Sequence, residues 1–273
     1  MSYSKYSVLM SVYYKEKAEF LRASMDSICA QTIPASDFVL VCDGLLNDEL
    51  DTVIESFQDR LGDILQVVSL RENVGLGNAL NVGLRYCKNE IVVRMDSDDI
   101  SFAERCERQL EVFRNRPEIS ICSSTVLEFR NSTSELVGER RLPERHEAIC
   151  VFSRKRNPFN HPAVMFRKTA VEAAGGYKET FHLFEDYYLW IRMLMNGCVG
   201  YNIQSPLLYM RVPLDMYMRR GGKTYAKDML RFHKWMQKSG WSMNSEYITG
   251  ALPHAVICVL PNWMRKIVYE VLH

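Results

Sequence analysis

Four times within the first 115 residues, a short apolar run is followed by a stretch with helical spacing. The apolar runs are YSVLMSV (6–12), FVLVC (38–42), ILQVVSL (64–70) and IVVRM (91–95). The helical stretches are residues 17–31, 46–61, 76–87 and 102–115. Strands that are apolar along their whole length need cover on both faces, and crossover helices provide it. The pattern predicts an α/β fold, a doubly wound, mostly parallel sheet with helices on both faces. In such sheets ligands gather beyond the carboxyl ends of the strands. The acids that follow two of these strands, Asp43 and the group Asp96, Asp98 and Asp99, are therefore expected along one crevice.

After Pro117 the rhythm changes. Extended segments at 119–129 and 135–142 are joined by the polar NSTS turn, and a helix near 144–153 leads into the basic loop RKRNPFNHP. A strand at 163–166, a short helix ending at Gly175-Gly176, a helix at 184–197 and an extended run at 201–212 follow. Gly197 stops the second of these helices. Residues 224–273 read as a helical extension, broken by Pro253 and Pro261, on a main domain of residues 1–223.

Composition narrows the classes of function. A net charge of +1 with 25% charged residues lacks the basic excess that nucleic-acid backbones demand, so no nucleic-acid partner is expected. The eight cysteines have no CxxC pair or zinc spacing and read as reduced core thiols. MSYSKYSVLMSVYYKEK lacks the apolar core of a signal peptide, and no apolar run is long enough to cross a bilayer. A cytoplasmic location is expected, and the Asn131-Ser132-Thr133 sequon carries no weight there.

The stretch IVVRMDSDDI ends a buried strand in three like charges. Ser101-Phe102-Ala103-Glu104 reads as a capping box opening the fourth helix. The helix dipole would then favour Asp99 at most, leaving Asp96 and Asp98 in the connection. Asp-x-Asp at a strand end suits a hard divalent cation, magnesium or manganese, that bridges to substrate phosphates. Glu185 and Asp186 open the aromatic-rich helix FEDYYLWIRM. Acids in a first turn are ordinary, but a carboxylate among apolar rings also meets the needs of a general base.

Taken in order, SVYYKE with a helix ending at Gln31-Thr32, CDG, ENVGLGNALNVGL, MDSDD, NHPAVMFRKTAVEAAGGY and FEDYYLWIRM form a series. It resembles the inverting family 2 glycosyltransferases of GT-A fold over most of residues 6–212, and among them the enzymes of amylovoran type that assemble bacterial exopolysaccharide, capsule or lipopolysaccharide. The resemblance implies a metal-dependent hexosyltransferase that moves one sugar from a nucleotide-diphosphate sugar, expected to be a UDP-sugar, to a saccharide or lipid-linked acceptor. It implies a nucleotide-binding half over residues 1–116 and an acceptor-binding half over 117–223. By the same resemblance, Ser11, Val12 and Tyr13 line the nucleoside pocket and Asp43 contacts the base. Asn73 and Asn78 lie beside the diphosphate and sugar, Asp96 lies near ribose, Asp98 binds Mn2+ or Mg2+, and Asp186 is the catalytic base. Departures are Cys42 and Leu45, where the family commonly has an acid and a serine, and Ser11 in place of a frequent proline. The Gln-x-x-Arg-Trp motif of processive synthases is absent, which implies one sugar per encounter.

Weaker signals remain. Gly75-Leu76-Gly77 fails as a dinucleotide fingerprint because Leu80 occupies the third glycine position. His161, Glu185 and Trp190 are candidate donor or acceptor contacts. Arg219 and Arg220, beside two glycines, are candidates for a lid that folds over the diphosphate. The tail ALPHAVICVLPNWMRKIVYEVLH could pack on the domain or lie at the inner face of the plasma membrane as a peripheral contact. Two other readings fit part of the sequence: a nucleotidyltransferase, and a nucleotide-sugar-binding subunit without turnover.

Overall fold

In the computed structural model, the described residues are 3–181, 183–212, 221–260 and 264. The first half follows the predicted rhythm closely. Strands β1 (Tyr6–Val12), β2 (Asp37–Cys42), β3 (Leu65–Ser69) and β4 (Ile91–Asp96) alternate with helices α1 (Ala18–Cys29), α2 (Asp48–Leu61) and α3 (Leu76–Tyr86). β1 pairs in parallel with both β2 and β4, and β2 with β3.

Side chains two apart along a strand share a face, and this rule divides the core. Val8, Met10, Val12, Phe38, Leu40, Val93 and Met95 meet α1, α2 and α4 (Arg105–Asn115) on one side. Leu9, Val39, Val41 and Val92 meet α3 on the other. Close contact with α3 depends on Gly83: a Cβ there would lie 2.5 Å from Leu9 Cδ1 and 2.6 Å from Val41 Cγ2. The bare backbone seats the helix on the sheet and sets where its N-terminus emerges.

The second half departs from parallel order. A two-residue strand β5 (Ile100–Ser101) precedes α4, and the long strands β6 (Ile119–Phe129) and β9 (Val199–Arg211) run parallel to each other. β7 (Leu136–Arg140) forms the expected hairpin with β6, and β8 (Met165–Arg167) is antiparallel to both β4 and β6. The sheet order is β3-β2-β1-β4-β8-β6-β9-β5, with β7 beside β6. Helices α5 (His146–Phe152), α6 (Lys168–Ala173) and α7 (Glu185–Met195) cover the α3 face through Ile149, Val171, Leu189 and Trp190.

α8 (Lys223–Lys238) lies against α7 through Phe232, Met229 and Met236, which meet Phe184, Tyr187, Tyr188 and Ile191. A single turn at Asn244–Glu246 and a wide helical turn at Tyr247–Ala251 then lead into α9 (Leu252–Val259). Among the described residues, no helix is long and apolar enough to cross a membrane.

One local expectation fails. Ser101 does not cap a helix; Ile100 and Ser101 pair with Tyr209 and Leu208 of β9, and α4 begins at Arg105 with no side-chain cap. Strand pairing with a segment over a hundred residues away overrides the local capping signal. None of the three aspartates therefore owes its place to a helix dipole.

Candidate active site

β1 supplies the middle of the crevice floor. Ser11 stands level with Val41 of β2 on one flank and with Asp96 of β4 on the other. Asp43 and the acidic knot thus flank the end of a single strand.

The knot is held by arginines that sequence reading missed. Arg94, 1% exposed, donates through both terminal nitrogens to Asp96, with Nη1–Oδ2 at 2.8 Å. The two-residue spacing of RMD puts both side chains on one strand face, which was the available signal. Arg211, at the far end of β9, donates its backbone N–H to Asp99 Oδ1 at 2.7 Å and its Nε to the Asp98 carbonyl at 3.0 Å. Arg105 lies beneath, fully buried, with Nη2 donating to the Arg94 carbonyl at 2.8 Å. Ser97 donates to Glu16 Oε2 at 2.6 Å, which brings a further acid to the rim.

Carboxylate oxygens of Asp96, Asp98 and Asp99 come within 4.8 Å of one another. Burial, then the charges of Asp96 and Glu16, pushes the Asp98 carboxyl up to about 7. Burial, then Asp98 and Asp96, holds Asp99 well above the usual carboxylate range. Asp99 Oδ2 is buried without a hydrogen-bond partner. Crowded, desolvated oxygens with an orphan among them form a donor set that a hard divalent cation would satisfy. The residues present fit such an ion, with Asp98 joined by Asp96 and Asp99.

Asp43 has a structural task at the end of β2. Asp43 is 3% exposed, and its oxygens accept from Asn73 Nδ2 (3.0 Å), Val74 N (2.7 Å) and Gly75 N (3.1 Å). Gly44 follows at φ +89°, and a Cβ there would lie 2.8 Å from the Asn73 nitrogen. The CDG element is thus a clamp on the 73–75 loop. Asn73 is part of the clamp, while Asn78 donates back to the Val74 carbonyl at 3.0 Å. Val12 is in the core, 1% exposed, and only its carbonyl reaches this edge, where it accepts from the Asp43 N–H at 2.8 Å. Tyr13 is exposed, edge-on to Tyr14.

From this loop, contacts lead to the second acidic pair. Gly77, in the first turn of α3, faces Glu185: a Cβ there would lie 3.6 Å from the Glu185 Cβ. Asn81 of α3 bonds both the N–H (2.8 Å) and the carbonyl (2.9 Å) of Tyr177. Asp186, in the first turn of α7, accepts from Asn157 Nδ2 at 2.7 Å and from the Tyr187 N–H at 2.7 Å. Asn157 was passed over as part of a basic loop. Leu183, just before this helix, is held at φ +64°, a strained backbone for a side chain of its size.

Tyr177 connects the two acidic centres. Its hydroxyl pairs with His161 Nε2 at 2.9 Å, and its proton is held by burial and by the charges of both Asp186 and Asp96. His161 is thus half-buried and held by this bond, its pKa driven well below 6.5 by burial and the nearby Arg94. Trp190 is 0% exposed, on the α7 face turned to the sheet among Phe159, His161 and Tyr177. It is a core residue and has no access to a ligand. Arg219 and Arg220 lie outside the described residues.

The model of glycosyl transferase family 2 matches residues 7–173, more than half of the sequence. The chain belongs to that family. This family 2 glycosyltransferase is 38% identical to the amylovoran biosynthesis glycosyltransferase AmsE of Erwinia amylovora, over 97% of this chain and 98% of the relative. It is 35% identical to the UDP-Gal:alpha-D-GlcNAc-diphosphoundecaprenol beta-1,3-galactosyltransferase of Escherichia coli, over 97% and 95%. Its fold matches the mannosyltransferase PcManGT from Pyrobaculum calidifontis, solved with GDP-Man and Mn2+, at a TM-score of 0.65, 18% identity and coverage of 99% and 81%. The GT-A architecture of this glycosyltransferase is thereby established, and a nucleotidyltransferase reading is set aside.

Proposed function

We propose that this enzyme transfers one hexose from a UDP-sugar to a hydroxyl of a lipid-linked saccharide, with inversion, at the inner face of the plasma membrane. The setting is assembly of a bacterial surface polysaccharide. The carrying observation is that two acidic centres of opposite character, the crowded knot at the end of β4 and the hydrogen-bonded Asp186, both act on the one buried side chain of Tyr177.

Asp186 takes the acceptor proton. Asn157 and the Tyr187 amide hold its carboxylate in a fixed orientation, as a general base requires. The oxygen then attacks the anomeric carbon from the side opposite the nucleotide. Asp96, Asp98 and Asp99 would hold Mn2+ or Mg2+, which when bound supplies positive charge to the departing diphosphate. Arg94 keeps Asp96 aimed into the crevice, and Ser11, Tyr13 and the 73–78 loop form the nucleoside and sugar walls.

Thermal shift with a donor panel, with and without manganese, should select a UDP-hexose such as UDP-galactose, since a ligand that binds only the folded state raises its melting temperature. Transfer to a GlcNAc-diphospho-lipid, read by the anomeric coupling of the product, should show the configuration opposite to the donor's. Retained configuration would overturn the single-displacement reading.

A further inference from the structure

α8 has two unlike faces. The inner one is buried on α7. On the outer one, Lys223, Lys227, Arg231, Lys234 and Lys238 recur at helical spacing, all exposed. They border an open groove of about 720 Å³ whose floor is Phe181, Leu230, Trp235, Tyr247 and Val259. Lys234 Nζ sits 5.5 Å from the Tyr247 ring centre, and the Arg231 guanidinium 5.8 Å from that of Phe181. Beyond Val259 the groove gives way to an apolar stripe along α9. Leu252, Val256 and Val259 share one side at positions i, i+4 and i+7, with exposures of 40%, 61% and 48%.

Charge decides the occupant. Residues 221–260 hold five lysines and arginines against two acids, Asp228 and Glu246. Asp228 is buried and paired with Arg231 at 2.6 Å, and Glu246 is mostly covered beside Arg154 at 4.0 Å. Within residues 221–260 the exposed formal charge is therefore positive. A second copy would set lysines against lysines, whereas an anionic lipid surface offers phosphates to the cations and acyl chains to the valines and leucine.

We propose that the outer face of α8 and the stripe of α9 form a docking surface for an anionic bilayer. The proposal deepens the lipid-linked acceptor reading. Phe181, in the groove floor, precedes Asp186 by five residues, so docking brings the base close to the membrane plane.

The test is co-sedimentation of the full chain with phosphatidylcholine vesicles, with and without phosphatidylglycerol. The wild type should bind only the anionic vesicles, with binding weakened by salt. Combined Lys227→Gln, Lys234→Gln and Lys238→Gln should cut partitioning about a hundredfold, at about fivefold per charge. Leu252→Gln with Val256→Gln should lower it roughly tenfold and remove what persists in high salt. Both variants should keep wild-type transfer to a water-soluble acceptor analogue. Failure of transfer with intact vesicle binding would strike the acceptor reading alone. Equal binding by wild type and variants, binding without anionic lipid, or a dimer in sedimentation velocity that Val256→Gln disperses, would overturn the docking surface.

Discussion

The knot at the end of β4 and the first turn of α7 are both acidic, yet they are built in opposite ways. In the knot, three carboxylates crowd together, burial raises two of them, and one buried oxygen has no partner. At Asp186 both oxygens accept short hydrogen bonds, one from a side chain of a distant loop and one from the helix itself. The first arrangement is a donor set that a cation would satisfy. The second is a carboxylate held in a fixed orientation. Like residues thus acquire unlike tasks through their neighbours, as in other enzymes with paired acids.

The contrast can be broken most sharply at the base. Asp186→Asn keeps the shape and the Asn157 neighbour but removes basicity; transfer should fall about a thousandfold or more, while the manganese- and donor-dependent thermal shift persists. Asp98→Asn should do the reverse. It should abolish the manganese-dependent shift and lower transfer at least about a hundredfold, the scale of metal stabilisation of a leaving group. If both variants lost the metal response alike, the division of labour would be wrong.

A smaller effect tests the hydrogen bond that separates the two centres. Asn157→Ala should lower kcat roughly tenfold, with the donor KM unchanged, because a base free to swing misses its proton by a fraction of the distance that costs a hundredfold. The smallest effect concerns His161. Its pKa is depressed in the folded state, so its neutral form contributes stability that is full above the unfolded value of 6.5 and declines as the pH falls below it. His161→Gln should flatten that acid limb of the melting temperature.

Much of this was legible in the sequence, for physical reasons that also set the limits. Continuous apolar strands and 3.6-residue periodicity are local, and they placed β1 to β4 and α1 to α3 within a residue or two. The acids were legible because charge at the end of a buried strand has no packing purpose. Their counter-ions divide. Arg94 could have been paired with Asp96 from the alternation of the strand, whereas Arg211 meets Asp99 only through the β5–β9 pairing, which no local pattern encodes. The same pairing undid the Ser101 cap. Trp190 was a candidate donor or acceptor contact, but its helical phase with Leu189 and Met193 turned it into the core. Asn157 lay inside a string of cations that drew attention to charge and away from the amide that holds Asp186.

The long reach from Arg211 back to Asp99 has a consequence for synthesis. Chains emerge from the ribosome amino end first and tend to fold in that order. Residues 6–96 already hold β1 to β4, but the backbone that grips Asp99 belongs to the final residue of β9. A nascent chain therefore holds the three acids of the knot long before the backbone that grips Asp99, which exists only once Arg211 has been made.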